Sequence, residues 1–295
     1  MDDVVVDRLP PEAAFELVAH ETRVRVLQAL LDADEPLAFS DLREAVGMRD
    51  TGQFNYHLGK LTDQFVTGED GDGYALTREG ARVAGAVLSG GYTKGIEADP
   101  VRMDATCPEC EARLEARFHD TEVRITCIDC DLDFAQVDVP PGALDGHTAT
   151  EAVDVAHRWT KRVHHTADLG FCYVCDGPLD KWLLDGEADD VPEWLSDGPF
   201  EAFSRYECQR CGTGWFTDVG LSLLSHPATA AFHYDHGVDV RETPLWELDW
   251  VSADATSVVG RDPLRAEVSV TIADETLTLT VDRDLTVVDE RRTDS

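Results

Sequence analysis

Hydrophobic spacing divides the chain into helical and strand-like stretches. Pro10-Pro11 followed by Glu12 marks a helix start. Val24, Leu27, Leu30 and Leu31 fall on one face of a second helix, with Thr22 placed to cap it. Residues 32–36 break that helix, and Ser40 is placed to cap a short one over 41–46 that Gly47 stops. Asp50, with Gln53 three residues on, opens a helix over 51–62. Its Phe54, Leu58 and Leu61 face a core, while Thr51, Asn55, Tyr56, Gly59 and Lys60 lie opposite. Short strands at 65–67 and 74–76 flank turn residues 68–73, and a helix over 78–88 follows.

Further along, Leu114, Ala116 and Phe118 alternate, as do Val123 and Ile125, which predicts a β-hairpin turning at 119–122. Thr148 and Glu151 form a capping box for a helix on which Ala152, Ala156, Trp159 and Val163 share a face and which Gly170 ends. Residues 185–190 read as an acidic loop, followed by Trp194 and a strand over 200–206. A helix is expected over 221–232. Strict alternation at 267–272 and 277–281 predicts a second hairpin, with a third strand over 285–288 and a frayed end at 291–295. The predicted class is α+β, in four regions: 1–95, 103–140, 141–218, and an α+β segment at 219–295 packing on the third.

The chain has 295 residues, 43% of them hydrophobic, which suits several small cores and not a disordered chain. No apolar run reaches membrane-spanning length, and the acidic start lacks a signal-peptide core, so a cytoplasmic protein is expected. Acidic residues number 59 against 25 basic, a net charge of −34, and Lys60, Lys94, Lys161 and Lys181 are the only lysines. The acid is dispersed among Val, Leu and Ala, a pattern that suits a halophilic protein in molar salt, where the Debye length is roughly 3 Å. An acidic surface for a basic ligand is the competing reading.

All eight cysteines form C-x-x-C pairs: Cys107 with Cys110, Cys127 with Cys130, Cys172 with Cys175, and Cys208 with Cys211. Four thiolates suit Zn²⁺. Nearest pairs predict one structural zinc site from Cys107, Cys110, Cys127 and Cys130, and a second from Cys172, Cys175, Cys208 and Cys211; interleaved pairing stays open. Two knuckles joined by a hairpin make a zinc ribbon. A C-x-x-C redox couple is the rival chemistry. His226, His233 and His236 read as helix-end and core histidines, with a metal or effector site as the alternative, and His164-His165 as a solvated pair.

The order helix, helix, turn, helix, hairpin, helix is that of a winged helix-turn-helix, whose second helix enters the DNA major groove. Thr51, Gln53, Asn55 and Tyr56 offer donors and acceptors there, Arg49 and Lys60 suit phosphates, and Gly52 lets backbone approach DNA. Against this stand the acidic Glu69, Asp70 and Asp72 of the wing, and a net charge of −8 over residues 1–95.

Three segments carry a family resemblance. Phe15-Glu16-Leu17 with Glu21 through Leu27, the run Thr51 through Leu58, and Phe65-Val66 with Gly73 through Thr77 resemble archaeal ArsR-type regulators. The remainder is similar to the C-terminal region of haloarchaeal regulators of that type. The resemblance implies a transcriptional regulator and no enzyme, with double-stranded DNA as partner. No cysteine lies in residues 1–106, so a thiolate sensor site inside that domain is absent. A homodimer is expected, because symmetric half-sites are how small reading heads gain affinity; residues 78–88 and 148–169, with Trp159 central, are the seam candidates. Two other classes remain: a basal transcription or processing factor that contacts the transcription machinery, and a redox- or metal-responsive regulator.

Overall fold

The computed structural model describes residues 9–69, 72–107, 110–130, 132–188, 191–192, 200–251 and 255–294. Asp70, Gly71, Asp189, Asp190, Trp194 and Ser295 lie outside them, as does the Glu69 side chain. The protein is mixed α+β, with four small antiparallel sheets among the described residues. The backbone divides into two compact units: residues 1–95 with 140–145, and residues 96–139 with 146–295.

Unit 1 runs α1 (Pro11–Val18), α2 (Glu21–Leu31), α3 (Phe39–Ala45), α4 (Thr51–Leu61), β1 (Val66–Glu69), β2 (Gly73–Leu76) and α5 (Arg78–Leu88). Val26, Leu27, Leu42, Phe54, Leu58 and Leu61 fill its core together with Phe65 and Tyr74. A Cβ on Gly80 would stand 2.0 Å from the Phe65 carbonyl oxygen, so only glycine lets α5 approach the hairpin this closely. The short α6 (Pro141–Leu144) also belongs here: the Gly142 amide donates to Ser89, and Lys94 pairs with Asp145 at 3.1 Å.

Two expected caps differ. His20, not Thr22, caps α2, its Nδ1 accepting from the Thr22 amide at 3.1 Å. Helix α3 starts at Phe39 with no side-chain cap, and Ser40 lies inside it, bonded to Asp41. Both helices start two residues earlier than those caps would set: an imidazole takes the capping role in α2, and α3 starts without a side-chain cap. Asp50 caps α4 as expected, accepting from Gln53 at 2.9 Å.

Unit 2 holds three sheets. The first orders β3 (Val101–Thr106), β4 (Arg113–His119), β5 (Glu122–Cys127) and β6 (Asp133–Asp138) in sequence. The expected hairpin is its centre, and Leu114, Ala116, Val123 and Ile125 are buried. Helix α7 (Ala149–Asp168) begins with the Thr148–Glu151 capping box. The second sheet orders β7 (Leu179–Asp185), β8 (Ala202–Cys208) and β9 (Gly214–Asp218).

The expected helix over 221–232 is two pieces, a 3₁₀ turn at Leu221–Leu223 and α8 (Pro227–Asp235). Pro227 cannot continue a preceding helix, and His226 caps the new one through Nδ1. The last sheet orders β10 (Thr256–Arg261), β11 (Leu264–Ile272), β12 (Glu275–Val281) and β13 (Val287–Asp294). Residues 291–294, expected to fray, pair with β12 instead. One core cluster joins Leu183 and Ala202 of the second sheet to Phe232, Trp250, Val268 and Leu279.

Candidate functional site

Every cysteine pair sits in the same backbone turn. The amide of the first cysteine donates to the carbonyl five residues on: Cys107 to Ala112 at 2.7 Å, Cys127 to Leu132 at 2.9 Å, Cys172 to Gly177 at 2.9 Å, and Cys208 to Thr213 at 2.8 Å. In three turns the residue after the second cysteine has positive φ: Glu111, Asp176 and Gly212. Only the last is glycine, so two of these turns carry no local signature in the sequence.

The turns are brought together by strand pairing. Leu114 is opposite Cys127 across β4–β5, and Leu179 is opposite Cys208 across β7–β8. This gathers Cys107, Cys110, Cys127 and Cys130 into one quartet, and Cys172, Cys175, Cys208 and Cys211 into another, with all sulfurs of a quartet within 4.8 Å. The nearest-pair assignment is the one the fold makes.

Both quartets fit a bound metal. Neighbouring sulfurs are 3.4 and 3.6 Å apart in the first and 3.5 and 3.8 Å in the second. A tetrahedron of thiolates about 2.3 Å from a central ion has edges of about 3.8 Å. No pair is bonded as a disulfide. The amides of Asp129, Val174 and Arg210 each donate to the sulfur two residues back at 3.4 Å. Such bonds favour the thiolate, the ligating form. The Cys130 and Asp129 amides pull Cys127 down to about 7 and hydrogen bonding by Thr213 pulls Cys211 down to about 6, while hydrogen bonding to Cys127 pushes Cys110 up to about 12 and desolvation pushes Cys175 up to about 12. Within each pair the first cysteine is buried; Cys110, Cys130 and Cys211 are exposed and Cys175 is partly so. A second feature that sequence reasoning missed is Gly177. A Cβ there would meet Arg210 Cβ at 2.9 Å and the Cys175 and Cys208 sulfurs at 3.1 and 3.2 Å.

In unit 1, α4 buries Phe54, His57, Leu58 and Leu61. Arg49, Thr51, Gly52, Gln53, Asn55, Tyr56 and Lys60 are all exposed along α4 or just before it. Arg43 donates to the Thr51 hydroxyl at 2.6 Å, and the Lys60 ammonium stands 5.8 Å from the Tyr56 ring centre. His57 is buried and not presented, its ring 4.1 Å from that of His20. Burial, then His20 and Arg23, lower its pKa, so it is neutral at pH 7.

Two of the three histidines near α8 are held by hydrogen bonds to the helix's own carbonyls. His233 is buried; its Nδ1 is 2.8 Å from the Thr229 carbonyl oxygen, and its Nε2 accepts from the Trp250 indole at 3.0 Å. His236 follows α8, its Nδ1 2.8 Å from the Phe232 carbonyl oxygen. These two and His226 form no metal-binding group among the described residues. Of the expected solvated pair, His165 is exposed but His164 is buried edge-on against the stacked Tyr206 and Trp215 rings. Burial pushes it down to about 4. Trp159 is partly buried under the Arg162 guanidinium, 4.2 Å away.

Among the described residues, no helix is long and apolar enough to cross a membrane. The chain belongs to the family described as a domain of unknown function (DUF7351), which matches residues 104–287 and so takes in both quartets. A second family, also described as a domain of unknown function (DUF7347), matches residues 11–87, within unit 1. No curated protein and no solved structure matches the chain.

Proposed function

For this member of that family we propose a sequence-specific DNA-binding transcriptional regulator of ArsR type. Unit 1 acts as its winged helix-turn-helix, and each cysteine quartet holds a structural Zn²⁺. The observation that carries the reading is α4: its apolar side is spent on the core, and the hydrogen-bonding groups of Thr51, Gln53, Asn55, Tyr56 and Lys60 are all exposed around the rest of its circumference. Placed in a major groove, Gln53 and Asn55 have the geometry to pair with adenine edges, and Thr51 and Tyr56 add single contacts. Arg49 and Lys60 fix the register on phosphates, and Gly52 keeps the helix start thin. With Asp72 exposed on the hairpin, the wing adds little to phosphate binding. A homodimer on a palindromic site supplies the affinity one head lacks.

Zinc in a closed four-thiolate shell has no open position, so its contribution is folding energy and not catalysis. The chain is read as a non-enzyme.

Genome-wide pull-down of the tagged protein in native salt tests this, with Asn55→Ala plus Tyr56→Ala as the comparison. Discrete peaks sharing a palindromic motif, lost in the variant, are the expected result. Occupancy of most active promoters regardless of sequence, retained in the variant, would replace this reading with that of a basal factor recruited by the transcription machinery.

A further inference from the structure

The turn that carries Cys172 and Cys175 exposes four apolar side chains within six residues. Leu169 is 63% exposed, Phe171 52%, Tyr173 37% and Val174 58%. In a chain of net charge −34 such a cluster is conspicuous, since exposed apolar patches mark contact sites. The turn is held rigidly. Phe171 bridges to Pro178, the Leu179 amide donates to Gly170, and Cys172 is buried in the second quartet. The Tyr173 ring packs edge-on against Trp215, with centroids 5.5 Å apart.

Two arginines lead into this turn. Arg158, Arg162, His165 and then the C-cap Leu169 follow one another at helical spacing along the exposed side of α7. Arg210 closes the other flank, donating to the Cys175 carbonyl at 3.2 Å. Asp138, whose charge acts on Tyr173, and Asp176 also border the turn. An anionic ligand is therefore directed to the α7 side.

The patch is too small for a second copy of the chain. Four partly exposed side chains offer far less than the roughly 800 Å² per partner of a stable interface. It suits a narrow, flexible, anionic occupant with flat groups to lay on rings. We propose that the Leu169–Val174 turn, with Arg158 and Arg162, is a stacking platform for single-stranded nucleic acid, separate from the duplex contact proposed for α4. Bases rest on Phe171 and Tyr173, and phosphates run along the α7 arginines. Because stacking is not screened by ions, this contact persists in molar salt, where phosphate attraction is weak.

The test is fluorescence anisotropy of a labelled oligo(dT) about 12 nucleotides long with the full zinc-loaded chain, in low and in molar potassium chloride. Phe171→Ala is expected to weaken binding about tenfold or more at both salts, and Phe171→Trp to restore it. Arg158→Gln with Arg162→Gln is expected to weaken binding mainly at low salt and to flatten the salt dependence. Metal content of each variant reports that the second quartet is intact. Absent binding by the wild type, or binding indifferent to Phe171, overturns the proposal. So does binding lost only in Asn55→Ala plus Tyr56→Ala, which would assign the oligonucleotide to α4. An acidic amphipathic peptide that binds where oligo(dT) does not would reassign the patch to a protein partner. The duplex reading of α4 stands or falls separately, on palindromic duplex binding by the Phe171 variants.

Discussion

The two quartets are built from the same turn and held in different surroundings. In the first, 16 residues separate the pairs, and they form only the β4–β5 hairpin and its flanks. In the second, 32 residues intervene, and β7 and β8 also serve another structure. Leu183 and Ala202 enter the core of the C-terminal sheet. The Leu183 amide donates to Arg283, the Val258 amide to Glu201, and Arg261 pairs with Asp185 at 2.6 Å. Like ligand turns therefore need not carry a like structural role. A metal in the first quartet would join the strand ends of one small sheet, while one in the second would be set into a frame that apolar burial already supports.

Replacing one buried ligand in each quartet is the strongest way to break this contrast. Cys127→Ser and Cys208→Ser should each lower bound metal from about two ions per chain to about one, read by native mass spectrometry. Their exchange patterns should differ. Cys127→Ser is expected to release the β4–β5 amides to fast hydrogen exchange, whereas Cys208→Ser leaves the β11–β12 amides protected. If β11–β12 opens as well, the second metal organises the C-terminal core after all.

Acid should separate the two regions by a smaller amount. His164 lies in unit 2, against the stacked Tyr206 and Trp215 rings, and burial lowers it to about 4. The unfolded chain takes up this proton near pH 6.5 and the folded chain only near pH 4. The stabilisation is thus complete above about pH 6.5 and is lost as pH falls toward 4. Urea melts between about pH 7 and pH 5 should show a loss of roughly 2 kcal/mol in the wild type that His164→Leu removes. Acid competition for the thiolates is common to both proteins, so the difference between them isolates the histidine. An unchanged pH slope in the variant would show that the folded chain admits the charge.

The smallest expected effect concerns the turns themselves. Gly177 and Ala112 occupy equivalent positions, five residues after the first cysteine of their turns. At 177 an added methyl meets Arg210 and two sulfurs. Gly177→Ala should cost about 1.5 kcal/mol by crowding, whereas Ala112→Gly should cost less. Equal costs in thermal melts would mean that the second turn relaxes as freely as the first.

Much of the framework was legible in the amino-acid sequence, for local reasons. C-x-x-C places two sulfurs on one turn wherever it occurs, so both quartets could be named from spacing. Alternation in 114–125 and 267–281 marked two hairpins, and the helical period of Phe54, Leu58 and Leu61 told the buried side of α4 from the exposed one. What local pattern could not contain was set by partners distant in the chain. Strands β3, β6, β7 and β9 exist because a neighbour supplies their hydrogen bonds. Residues 291–294 are ordered by β12 despite their polarity, and His164 is buried by Tyr206 and Trp215 although its neighbour His165 faces solvent. A residue's own chemistry determines which turn or helix face it can join. Only long-range packing decides which surfaces water leaves, and with them the caps, edges and protonation states of the folded chain.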